Sequence, residues 1–195
     1  MKTPTLDSRF QEAFVYAAQL HAGQTRKGPA EIPYIAHLMG VCALTLEAGG
    51  DEDQAIAALL HDGPEDQGGR ETLREIRRRF GDRVADIVEA CTDTFEDPKP
   101  PWRQRKERYL QHVAGKPSHA LLVVCADKLY NTRAILQDHR SVGDAVFDRF
   151  TADKQDVLWY YRSIADALSG SALEGWLVDE LARTVAELEQ VAGAG

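Results

Sequence analysis

His61 and Asp62 stand side by side after the apolar run AIAALL, and Glu65 and Asp66 follow three and four positions beyond Asp62. An imidazole and several carboxylates at the polar end of a buried helix can reach one cation when that end faces a cleft. A His-Asp pair alone is also an ordinary helix C-terminus, so further residues must decide. His37 follows PYIA at the head of a second apolar stretch. Asp127 lies inside ALLVVCADKL, the most apolar segment of the chain, where a carboxylate needs a partner or a cation.

Two imidazoles and two carboxylates form a mixed nitrogen and oxygen donor set, which suits Mn, Fe, Ni or Zn better than Ca or Mg. A divalent ion held there would lower the pKa of water and polarise a phosphoryl oxygen, as phosphate-ester hydrolysis near neutral pH requires. The four residues are dispersed over three helices, so only a folded core can gather them.

Periodicity supplies those helices. Phe10, Phe14, Ala17, Ala18 and His21 mark one helix face, and Val84, Ile87, Val88 and Cys91 mark another. A Pro/Gly-rich loop is expected over 25–34, and a helix from about Ile35 to the Gly49-Gly50 stop. Asp51 or Asp53 caps the next helix. A second loop is expected at 63–71, a stop at Phe80-Gly81-Asp82, and a loop at 95–101, where Pro98, Pro100 and Pro101 exclude a helix. Segments 102–114, 151–169 and 172–192 read as helices. The stretch 120–126 continues its helical spacing through Leu136, which favours one long buried helix over a strand. The fold class is therefore all-α, about ten helices without internal repeats.

Here a resemblance enters. The ordered set His37, His61-Asp62, Asp127 resembles the signature of the HD-domain metal-dependent phosphohydrolases. The segments AAQLHAGQTRKGPAEIPYIAHLMGV, AALLHDGPED, FGDRVADIVEACTD, RQRKERYL and ADKLYNTR look like the hydrolase domain of RelA/SpoT homologues, in particular the stand-alone small alarmone hydrolases. The likeness covers roughly 10–165, which sets a domain at 1–165 and leaves 166–195 as a C-terminal helical extension packed on it.

The resemblance implies that His37, His61, Asp62 and Asp127 bind one Mn2+ per chain. It implies that Glu65 and Asp66 act beside it in hydrolysis of the 3′-pyrophosphate of (p)ppGpp to GDP or GTP and pyrophosphate. Arg26 and Lys27 would frame the nucleotide, Asn131 would contact the sugar region and Lys106 would approach phosphate. Asn131 lies four residues after Asp127, on the same helix face. The basic run 99–108 is either a solvated face or an electropositive flap with Trp102 packed on it. Pro64 departs from the family pattern and biases Gly63 away from helical angles, which bears on how Glu65 and Asp66 face the ion.

Other readings keep the site and change the substrate, to the 2′-phosphate of NADPH or a deoxynucleoside monophosphate. A non-catalytic helical module would be expected to show a damaged motif, whereas every motif residue is present. The 195 residues carry 23 basic and 31 acidic side chains, a net charge of −8, which argues against a nucleic-acid polymer as partner. The apolar runs are far shorter than the ~20 residues of a membrane span. The start MKTPTLDSRF lacks a leader's apolar core, so the expected compartment is the cytoplasm. Cys42, Cys91 and Cys125 have no paired spacing and read as buried reduced thiols, and His21, His112, His119 and His139 as core or surface residues. Monomer and homodimer are both compatible with the chain.

Overall fold

The computed structural model describes residues 5–28 and 30–193. Among them are ten α-helices: α1 (Ser8–Leu20), α2 (Ile35–Glu47), α3 (Glu52–Leu60), α4 (Gly63–Asp66), α5 (Gly69–Phe80), α6 (Asp82–Cys91), α7 (Trp102–Val113), α8 (Ser118–Val142), α9 (Lys154–Ser169) and α10 (Trp176–Gly193). A 3-10 segment, Gly143–Arg149, joins α8 to α9. The described residues contain no strand, only an isolated bridge between Thr25 and Pro33. None of their helices is long and apolar enough to cross a membrane.

The centre is α3, in which every residue from Gln54 to Leu60 is buried. Its polar residues are confined to its ends. Asp51 starts it through a capping box, accepting from the Gln54 backbone N–H at 3.0 Å while the Gln54 side chain accepts from the Asp51 N–H at 2.9 Å. Arg9 and Arg83 pair with the acids of this first turn, tying α1 and α6 to it. On α1 the inward stripe is Ala13 and Ala17, and Phe14, expected inside, is 37% exposed. Small side chains let α1 lie close on α3, and a phenyl ring has no room there.

The long apolar segment does form one helix, the 25-residue α8. It crosses α2 closely enough that a Cβ on Gly40 would fall 1.9 Å from the Tyr130 ring. The expected loop at 63–71 is instead mostly helical, with α4 formed at once and α5 starting at Gly69. Pro64 sits in the first turn of α4, where its missing N–H is not needed, and Gln67 N–H donates to Gly63 O at 2.8 Å. Helix α9 starts at Lys154, capped by Asp153, and α10 at Trp176, each a few residues later than the periodicity suggests. The 165/166 boundary falls inside α9. Helix α10 buries Leu177, Leu181, Val185 and Leu188 and packs on α8 and α9.

Candidate active site

Three elements converge on one point. The α3–α4 junction supplies His61 and Asp62, the first turn of α2 supplies His37, and the middle of α8 supplies Asp127. His37 Nε2 lies 3.2 Å from Asp62 Oδ2 and 3.3 Å from Asp127 Oδ1. His61 Nε2 lies 3.1 Å and 3.5 Å from the same two oxygens. Donor atoms at ~2.1 Å from one ion and at right angles to each other stand about 3 Å apart, and His37, His61 and Asp127 together have the spacing of a ligand set, with Asp62 against both imidazoles. His37, His61 and Asp127 are buried, and Asp62 is partly exposed toward a cavity.

The donor set also fits a divalent ion in detail. His61 Nδ1 lies 2.8 Å from the carbonyl of Ala58, which fixes the ring with its Nδ1 proton there and turns Nε2 toward the two carboxylates. That buried Nε2 has no hydrogen-bond partner. Burial alone would push the His61 pKa down, but the carboxylates of Asp62 and Asp127 hold it well above the usual imidazole value. Burial would raise both carboxylates, yet His61 and His37 hold Asp62 far below its usual range. Lys128 and the same two histidines do so for Asp127. The cluster is a concentration of opposite charge that one cation can replace.

Around it stand the groups that aim it. Tyr34 donates to Asp62 Oδ2 at 2.7 Å and stacks on His21, with ring centroids 5.1 Å apart. Lys128 donates to Asp127 Oδ2 at 2.7 Å, beneath the rings of Tyr109 and Tyr160. Asn131 donates to Asp127 Oδ1 at 2.6 Å and accepts from Arg26 at 2.9 Å.

A cavity of about 300 Å3 opens over the cluster. Asp62, Glu65 and Asp66 line it, as do Arg26, Lys27, Arg149 and Asn131, with Ile135, Phe150 and Tyr161 as apolar wall. Glu65 is 3.3 Å from Lys99 Nζ and 4.0 Å from Arg105, and Asp66 accepts from Gln24 at 2.8 Å. Lys106 does not line the cavity; its Nζ is 2.7 Å from Asp93, which Arg105 also holds. Trp102, considered above as part of a phosphate flap, packs edge to face on Tyr160 at 5.8 Å. The remaining cations of the run are paired: Arg103 with Glu107 and Asp156, Arg108 with Glu96.

A model of the HD domain matches residues 13–158. The chain belongs to the HD-domain family. Among its relatives is the guanosine-3′,5′-bis(diphosphate) 3′-pyrophosphohydrolase MESH1 of Xenopus tropicalis, 43% identical over 124 residues, 63% of this chain and 66% of that one. This chain therefore spans just under two thirds of that relative. The MESH1 of Drosophila melanogaster is 32% identical over 167 residues, 84% of this chain and 87% of its own length. A solved structure described as a metazoan orthologue of SpoT that hydrolyses ppGpp superposes with a TM-score of 0.74 at 27% identity. It covers 95% of this chain and 96% of its own.

In this HD-domain chain the sequence reading missed the supports. His21, which the sequence offers only as a core or surface histidine, is a core residue that stacks on Tyr34, its Nδ1 2.7 Å from Gln24. The available signal was its position at the end of α1, three residues before Gln24. Lys128 adjoins Asp127 in the sequence, but neighbours on a helix normally diverge, so adjacency gave no hint of a contact. Arg149 and Tyr161 carry no motif and reach the cavity only through the packing of the 3-10 segment and α9.

Proposed function

We propose that this chain hydrolyses the 3′-pyrophosphate of a guanosine 3′,5′-bis(diphosphate) or its triphosphate analogue, releasing pyrophosphate and GDP or GTP, with Mn2+ as the resident ion. The observation that carries this reading is the placement of the His37, His61, Asp62 and Asp127 donor atoms beneath a cavity that also presents Arg26 and Lys27. A polyphosphorylated nucleotide needs both features, a divalent ion at the scissile phosphorus and cations for the remaining charge. The names of the MESH1 relatives support the same substrate.

In this reading His37, His61, Asp62 and Asp127 would hold the ion, which when bound would supply Lewis-acid polarisation of a phosphoryl oxygen and a lowered pKa for water. Glu65 and Asp66, one turn beyond Asp62, take the proton of the attacking water and return one to the departing 3′ oxygen. Water adds to phosphorus as the 3′ C–O–P linkage breaks on its phosphorus side, so the nucleoside keeps the oxygen. Arg26 and Lys27 neutralise substrate charge, and Asn131 contacts the ribose. Lys106 takes part only by leaving Asp93. The deciding experiment is a Mn2+-dependent substrate panel of ppGpp, pppGpp, NADPH and 5′-deoxynucleoside monophosphates. Pyrophosphate release from the first two is expected. Turnover confined to NADPH or the monophosphates would replace this substrate while keeping the site.

A further inference from the structure

The 25–34 loop carries Arg26 and Lys27, yet little packing holds it. A cavity of about 230 Å3 separates its residues from the 130–138 face of α8. Its internal frame is a narrow hairpin: Arg26 N–H donates to Ile32 O at 2.9 Å, and Tyr34 N–H to Gln24 O at 2.9 Å. Glu31 adopts φ +44°, a left-handed conformation that a non-glycine residue keeps only when its surroundings impose it. Among the described residues, two side-chain hydrogen bonds tie 25–33 to the rest of the molecule. One is Arg26 to Asn131. The other comes from Arg149, whose Nη1 donates to the carbonyl of Lys27 at 3.3 Å.

Arg149 is itself anchored. The same Nη1 pairs with Asp138 on α8, and the guanidinium lies over the Phe150 ring at 5.2 Å. Its side chain is only 15% exposed. A Cβ on Gly28, where φ is +137°, would stand 3.4 Å from this Nη1, so the backbone passes under the guanidinium without a side chain in the way.

We propose that Arg149 is a positioning residue, an Asp138–Arg149–Lys27 clamp that fixes the cationic loop over the cavity and so sets nucleotide affinity. Its target is the backbone at Lys27, not the ion or the reacting atoms. The proposal builds on the nucleotide reading above, but its mechanical part stands on the contacts alone.

The informative variant is Asp138→Asn, because the two roles open to Arg149 predict opposite signs. As a clamp, Arg149 loses its anchor, and KM for ppGpp rises about tenfold with kcat within about twofold. As a direct phosphate contact, Arg149 gains free charge, and KM falls. Arg149→Gln should match the rise, with Mn2+ affinity, measured by titration calorimetry, unchanged in both variants. Hydrogen exchange at the Arg26 and Tyr34 amides should accelerate in both relative to wild type. An unchanged or lower KM in Asp138→Asn, or unchanged exchange at those amides in both variants, overturns the clamp. If wild type releases no pyrophosphate from ppGpp, the function reading fails, and the exchange measurement still decides the clamp.

Discussion

Asn131 donates its side-chain N–H to Asp127 Oδ1 at 2.6 Å, the carboxylate oxygen that lies 3.3 Å from Nε2 of His37. Its other end accepts from Arg26. One amide thus connects the Asp127 carboxylate to the cationic loop, and its removal should register in both. Asn131→Ala is expected to weaken Mn2+ binding about tenfold and to raise KM for ppGpp as well. Calorimetry and steady-state kinetics on one preparation would show it. A change in only one of the two would mean that the connection is not functional.

Lys128 is the counter-charge of Asp127 on the side away from the histidines. Burial would lower its pKa, but Asp127 holds it well above the ordinary lysine value, so it is a cation in place. Lys128→Met leaves Asp127 Oδ2 without its partner, and Mn2+ affinity should fall by roughly 10- to 100-fold. Lys128→Arg, which keeps the charge, should recover part of the loss. Equal behaviour of the two variants would point to packing against Tyr109 and Tyr160 as the reason for the lysine.

Ion affinity should rise with pH across the neutral range. Asp62 and Asp127 raise the His61 pKa, so His61 binds its proton more tightly than a free imidazole, and an incoming ion must displace that proton. The carboxylates are held low and remain ionised, so they do not set the limb. For the protein without ion the sign is reversed. The His61 contribution to stability is complete below the unfolded imidazole pKa and is lost as pH rises through the higher folded value. Titration calorimetry in buffers of different ionisation enthalpy should show proton release on Mn2+ binding that shrinks as pH rises.

Glu65 lines the cavity without belonging to the ligand cluster. Glu65→Gln should therefore keep Mn2+ binding within about twofold while kcat falls by roughly 10²- to 10⁴-fold, the range of a general acid–base group. Loss of the ion in that variant would move Glu65 from proton transfer to ion binding.

Gly40 has a purely steric task. An alanine there drives its Cβ into the Tyr130 ring, the ring on which Arg26 rests at 5.5 Å. Gly40→Ala should cost about 1–3 kcal/mol in a urea unfolding experiment, the usual scale of an overpacked contact. An unchanged midpoint would show that Tyr130 rotates away freely.

Most of the helices were legible in the chain, because they depend on local spacing and on caps such as Asp51 and Gly81. It also marked His37, His61, Asp62 and Asp127, because ionisable residues beside apolar runs are costly unless they share a task. It did not reveal α4, since a proline after a glycine reads as a break until Pro64 is seen in a first turn that needs no N–H from it. Nor did it reveal which way helix faces turn: Phe14 faces out and Ala13 in, a choice made by how closely α1 approaches α3. The supports, His21 under Tyr34, Lys128 on Asp127 and Arg149 on the Lys27 carbonyl, come from the packing of whole helices. Local patterns record what a segment must bury. Contacts between residues up to 122 positions apart, as for Arg149 and Lys27, depend on where whole helices come to rest.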